Sequence, residues 1–454
     1  KYGMEFKRAY WDETPNEHLV KRHKREIFPL LKKRYLFSEV RNFHFYDYIT
    51  PEGHVNHNVF AYSNSLGSEK ALIFYNNSYS QTSGYIKDSV VSRNPKNDLV
   101  NNSLGKSLDI KNSDRHFVIF QDQITGLEYI RSSKDIYEEG IFTIMQGFEY
   151  HAFVNFRELE DFDGLYHEVN IFLNGRGVPC IESAIQQVLV KPLHVALKKN
   201  FNFAQMKDFF NSKKLPENVA LYKQNQQDFL NVLQETADGE LPVSAVENEF
   251  NKTLENYLFL FSNKAPQTEK LKLIVQKNLK TKENQIIFYA WLLLHGTGKA
   301  FTKANWEKKS RSIIEELFFN KLIEDLAVEA GCDHKENLSE IVMILTEYQN
   351  WFKTLADSTD NLKDLMKKFV SGFNVRSYIN INRYNGVLWF NREAFDSLVN
   401  WLEIIGIFYI LKENYPSLEN IESDTAELVR IVKTVKDAGA ESEYKLEKFF
   451  DNLK

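Results

Sequence analysis

Apolar and polar positions divide this chain into a helical start, a strand-like stretch and a long helical remainder. Between 14 and 37, Val20, His23, Ile27 and Leu31 recur at three- and four-residue spacing, which is one face of a helix. Thr14-Pro15-Asn16-Glu17 reads as a capping box with proline at the first helical position. Pro29 falls inside the pattern and predicts a kink or a split of the helix, because it has no amide proton for the preceding turn. From 43 to 156 the period drops to two, predicting strands at 43–48, 59–63, 71–75, 117–120, 127–131, 141–145 and 150–156. In the last of these Tyr150, Ala152, Val154 and Phe156 share one side, with His151, Phe153 and Asn155 on the other. Pro51-Glu52-Gly53, Ser65-Leu66-Gly67-Ser68 and Thr125-Gly126 supply turns, Gly147 a bulge, and the polar stretch 89–115 a long loop.

After Asp161 the helical period returns. Asn174-Gly175-Arg176-Gly177-Val178-Pro179 is a linker or turn, and helices are predicted at 181–198, 218–236, 243–261, 284–294, 306–330, 338–355, 392–412 and 425–437. No fixed-length repeat appears, so a bundle fits better than a solenoid. The pattern implies a multidomain α+β chain: a terminal helical segment over 1–38, an antiparallel β-sandwich over 39–160 and an all-α region over 161–454.

Composition narrows the partners. A net charge of -5 argues against a phosphate-backbone partner, and so against nucleic acid. The basic run Lys21, Arg22, Lys24, Arg25, Lys32, Lys33, Arg34 interleaves with the apolar stripe, as a solvated helix face does. The longest apolar stretch, 401–411, is broken by Glu403 and too short for a bilayer. No membrane partner is expected. Cys180 and Cys332 fit neither a disulfide framework nor a zinc spacing. The chain opens on Lys-Tyr-Gly with neither initiator methionine nor signal peptide, which reads as a fragment or cleaved product; a cytoplasmic location is expected.

Candidate chemistry is sparse. His295-Gly296-Thr297-Gly298-Lys299 looks like a phosphate loop but lacks the upstream glycine (Leu293 stands there) and the hydroxyl after lysine (Ala300). Glycines closing a helix explain it better. His54 and His57 near Glu52 are polar turn residues without a second ligand pair, so no metal and no cofactor is expected. The acid pairs Asp12 with Glu13, Asp122 with Glu128, and Asp161 with Asp163 lie where surface acids lie, and no catalytic residue is assigned. Tyr46, Tyr79, Tyr85 and Trp389, near polar turns, are the candidate sugar-stacking platforms, weighed against the commoner fate of aromatics as core.

Several strings carry a resemblance. These are His23 to Leu30 (HKREIFPL), Val59 to Asn64 (VFAYSN), Ala71 to Asn77 (ALIFYNN), Gly126 to Ser133 (GLEYIRSS), His151 to Glu158 (HAFVNFRE), Leu173 to Pro179 (LNGRGVP) and Gly386 to Phe395 (GVLWFNREAF). The series resembles the region after the catalytic barrel in large bacterial α-amylase-like proteins of glycoside hydrolase family thirteen. The resemblance implies that 1–38 ends a (β/α)₈ barrel lying before Lys1, with the sandwich packed behind it and the helical tail an extension. It implies retaining α-glucoside hydrolysis by the parent protein. None of the family's catalytic motifs matches here, so this chain would be inactive alone. The partners it implies are that barrel and an α-glucan such as starch, glycogen or maltodextrin. A carbohydrate-binding module and a protein-interaction scaffold remain as alternatives.

Overall fold

The computed structural model describes residues 14–38, 42–93, 97–236, 242–262, 266–332, 336–357, 361–414 and 420–453. The candidate pair Asp12 and Glu13 lies outside them. The chain forms an antiparallel sheet region followed by a helical region, in two compact units, Lys1–Leu189 and Val190–Lys454. The first extends beyond the expected boundary at 160 because Val169, Leu173, Ile181 and Ala184 pack on Phe117, Ile119 and Ile130 of the sheet.

Strands of the first unit are β1 (His44–Tyr46), β2 (Val59–Leu66), β3 (Glu69–Asn76), β4 (Thr82–Ile86), β5 (Ser92–Arg93), β6 (Leu99–Val100), β7 (His116–Asp122), β8 (Glu128–Ser132), β9 (Ile141–Met145) and β10 (Tyr150–Glu160). Six form one antiparallel sheet in the order β1-β2-β3-β10-β7-β8. One face carries Val59, Ala61, Leu72, Phe74, Phe120 and Phe153, covered by Ile86 and Met145 of the two-stranded β4–β9 ribbon and by Leu104, Leu108 and Ile136. The predicted loop 89–115 therefore contributes core: Ser103 caps a short helix, Leu104–Ser107, whose apolar residues turn under the sheet. Its polar composition masked those few apolar anchors.

The alternation in β10 breaks where Asn155 adopts a φ of 56° and the register slips between Val154 and Arg157. Phe156 thereby joins the side of Phe153 instead of Val154, stacking on Phe120 at 5.2 Å between centroids. Asparagine tolerates the left-handed backbone, and Lys33 Nζ donates to its Oδ1 at 3.0 Å. Gly147 lies in the β9–β10 turn and not in a bulge; a Cβ there would sit 2.2 Å from the Tyr79 carbonyl oxygen.

At the start of the chain the cap is Asn16, not Thr14: its side chain accepts from Leu19 N–H and the helix begins at Glu17. Pro29 acts as expected on the turn before it. Residues His23–Ile27 widen into a π-helical turn ahead of Phe28–Lys32, and the Arg25 carbonyl, which Pro29 cannot bond, accepts from Gln123 Nε2 at 3.1 Å. The segment buries Glu26 against the sheet, between Arg22, Arg25 and the Tyr150 hydroxyl.

The second unit packs around Lys282–Leu294, in which every side chain from Ile286 to Leu294 is buried, as in a helix apolar all round. Val243–Ser262, Glu336–Glu347 and Arg392–Asn414 are among the helices against it. Arg392–Asn414 is long and apolar enough to cross a membrane, but 72% of its apolar window is buried inside the unit. Three predicted helices are each split: 181–198 at Val190, before Pro192; 306–330 at Phe318, with φ 56°; and 338–355 at the 348–350 turn. At the second break His194 Nε2 donates to the Leu317 carbonyl at 2.7 Å, so the freed backbone is satisfied from another helix.

Burial pushes the Glu26 carboxyl up, but hydrogen bonds from Arg22, Arg25 and Tyr150 outweigh it and hold the group at about 2. A folded value below the unfolded one, roughly 4.3, adds stability above that pH and loses it as pH falls toward the folded value. Denaturant unfolding of wild type and Glu26→Gln should therefore differ most at neutral pH and converge through the acid range; a constant difference would refute this.

Candidate functional site

The second face of the six-stranded sheet is only partly covered. Leu30, Leu36 and Phe37 pack on Ala71 and Val154, and the helices Leu165–Leu173 and Ile181–Leu189 cover the β7–β8 end. Toward β1–β3, register places Phe45 beside Tyr62, and Phe60 beside Tyr75, on this same face. Phe43 and Phe60 are each 41% exposed, and the Phe60 and Tyr75 rings stack at 6.5 Å. The helical segment beside them exposes Phe28, Tyr35 and Leu31, the last at 58%. Exposed apolar side chains gathered on one face are candidates for a contact surface.

A second aromatic strip runs along the outside of the β4–β9 ribbon. Tyr85 lies across from Phe142, and Ser83 from Ile144, on the side opposite the buried Ile86, Ile141 and Met145. Beyond the strand end Tyr79, 90% exposed, meets Phe148 edge to face at 4.5 Å. Tyr79 and Tyr85 thus flank one strip. Tyr46 is a correction: it is 0% exposed, its hydroxyl bonded to Ser63 Oγ at 2.7 Å, because its strand points it into the core. Trp389 lies in the other unit, half-buried in the hairpin Asn382–Tyr384/Val387–Trp389, with the Lys445 ammonium 4.8 Å over its ring.

The acid pairs have structural partners. Asp122 is fully buried, accepting from Ile124 N–H, Ala152 N–H and the Thr125 hydroxyl, with His151 Nδ1 at 2.9 Å. Burial raises its pKa, and the His151 bond and charge lead the opposing effects, so the net shift is downward. Asp161 and Asp163 accept backbone N–H groups at the start of Leu165–Leu173, as helix-capping acids do. Glu128, Cys180 and Glu182 place possible ligand atoms within 4.8 Å of one another, a grouping the spacing concealed, but Arg157 bonds both carboxylates.

The most concentrated electrostatic arrangement lies in the second unit, at the phosphate-loop-like string. Glu249, 5% exposed on Val243–Ser262, receives Lys299 Nζ on Oε2 at 2.5 Å and Lys412 Nζ on Oε1 at 2.6 Å. His295 Nε2 lies 3.7 Å from Oε1 and 3.2 Å from Thr253 Oγ1. Its Nδ1 faces the Trp291 and Leu292 carbonyls, which only accept, so Nδ1 carries a proton. Neither glycine is a left-handed cap: Gly296 has φ -90° and the helix runs into a 3₁₀ turn, Thr297–Ala300. Gly298 is required by contact, since a Cβ would stand 2.0 Å from the Trp306 carbonyl oxygen. That approach holds Lys299 over the Trp306 ring at 4.4 Å.

Comparison with known proteins gives no match: no family model, no curated protein and no solved structure matches this chain.

Burial raises the Glu249 carboxyl, but His295, Lys412 and Lys299 outweigh it and hold it well below the usual range. Its contribution is thus present above roughly pH 4.3 and lost on acidification. Glu249→Leu strands two ammonium groups and should cost about 3 kcal/mol in urea unfolding at neutral pH, tempered by the lysines' partial exposure. Lys299→Met, which leaves Lys412 paired, should cost clearly less; equal losses would contradict this arrangement.

Proposed function

We propose that this chain is the non-catalytic portion that follows the barrel in an α-amylase-like protein of glycoside hydrolase family thirteen. In this reading the six-stranded sheet and its ribbon are the β-sandwich behind the barrel, and the helical segment 14–38 is the barrel's last helical piece. The partly uncovered sheet face, with Phe43, Phe60 and Tyr75 beside the exposed Leu31 and Tyr35, is the observation that carries it. Such a face is stabilised when a further apolar layer removes it from water, at roughly 25 cal/mol per Å². The layer proposed is the barrel, and the activity served is hydrolysis of an α-glucan. The acids on this chain occupied with caps, turns and ion pairs fit a supporting role.

A second reading rests on a different observation. The strip of exposed Tyr79, Phe148 and Phe142 with half-buried Tyr85 offers rings along one ribbon, the form in which a β-surface stacks on sugar faces. On that reading the chain holds glucan and contributes no chemistry.

The purified chain should release neither maltose nor glucose from starch; release of either would overturn the first reading. The barrel encoded in frame ahead of it should form a stable complex with the chain in light scattering. Phe60→Asp with Tyr75→Asp should abolish that complex, and an unaffected complex would contradict the assigned face. In amylose affinity electrophoresis, retardation lost in Tyr79→Ala would favour the second reading.

A further inference from the structure

The ionic cluster on Glu249 opens into a cleft that is also lined by Trp291, Asn350, Ile405 and Lys412. Beside it lies a cavity of about 360 Å³ whose floor is Trp351, Met366, Phe369 and Leu402, all buried. The two adjoin, as their linings show. Asn350 belongs to both, and Leu402 and Ile405 lie three residues apart on Arg392–Asn414, hence on one helix face. The cavity falls within the range of small-molecule sites: apolar walls with a few polar groups at the mouth.

Charge distinguishes the two ends. Around the cavity Glu307 and Glu347 match Lys308 and Lys368 in number, and Glu307 is already held by the Asn350 amide. In the cleft the balance fails. Glu249 holds two ammonium groups, of which Lys412 lines the cleft, and both of its oxygens are taken. Each ammonium has three protons to give. Trp291 adds another donor: the residue is 3% exposed and its Nε1–H has no acceptor. A buried donor left unpaired costs about 1–3 kcal/mol, so an acceptor beside it would be stabilised, and the Lys412 ammonium favours one that is negatively charged.

We propose that this is a ligand site for a small monocarboxylate with an apolar body. The body fills the cavity between Trp351, Met366 and Phe369. The acid head enters the cleft, where Lys412 and the Trp291 N–H receive it. The free space in the cleft, about 20 Å³, suits a head group and not a second body. The site lies wholly in the second unit and does not depend on the sheet face of the first.

Isothermal titration of the intact chain with octanoate, octanol and acetate separates the two ends. Octanoate should bind once per chain, octanol at least about tenfold more weakly, and acetate without detectable heat. Lys412→Gln should weaken octanoate about tenfold and leave octanol unchanged, while Leu365→Trp, which fills the cavity, should abolish both. Circular dichroism and thermal melting establish that each variant is folded. A second variant, Trp291→Phe, which removes the N–H donor, keeps the test open if Lys412→Gln is not folded, with weaker octanoate binding and unchanged octanol binding expected. Equal affinity for octanoate and octanol, binding of several molecules per chain, or unchanged octanoate binding in folded Leu365→Trp would each overturn the proposal.

Discussion

The six-stranded antiparallel sheet carries apolar residues on both faces, and each face is stabilised to the extent that it is covered. In this chain one face is closed by its own elements: the β4–β9 ribbon and the apolar anchors Leu104, Leu108 and Ile136. The other is closed only at one end and beneath Leu30, Leu36 and Phe37, which leaves Phe43, Phe60 and Tyr75 facing solvent. The unequal cover shapes the first unit. It explains why the helical segment is tied down by polar contacts, Glu26 to Tyr150 and Lys33 to Glu69, on a face where apolar contact is incomplete.

The second unit answers a different constraint. A helix buried on every side, Lys282–Leu294, must end inside the core, and its last turn carries polar backbone with it. His295 and Thr297 bond back to the carbonyls of Trp291 and Leu294, and Gly298 lets the chain turn against Trp306. The turn delivers Lys299 to Glu249, and Arg392–Asn414 delivers Lys412. A buried carboxylate so placed ties three helices together, its desolvation offsetting part of the attraction.

How much of this was legible depends on the range of the interaction. Strand alternation located seven stretches of the sheet region within a few residues, because half-buried strands write their two faces into local sequence. The β4 strand Thr82–Ile86 was missed: Gly84 sits where a Cβ would lie 2.4 Å from the Ile49 carbonyl oxygen, so packing removed an apolar position from the pattern. The flip of Phe156 follows from one left-handed residue, Asn155, which periodicity cannot register. Tyr46 and Tyr79 both stand near polar turns, yet one is core and the other solvent-facing, because strand pairing decides which way a ring points. The Glu249–Lys412 pair spans 163 positions and leaves no local trace; His295-Gly296-Thr297-Gly298-Lys299 was the one audible signal, and its meaning lay in packing.

The central proposal is that the open sheet face is covered by a barrel in a longer protein of which this chain is part. Hydroxyl-radical footprinting of Phe60 and Tyr75, read by mass spectrometry in that protein and in the isolated chain, addresses it directly. The account predicts strong labelling of both rings in the isolated chain and protection of both in the longer protein. Equal labelling in the two would contradict it.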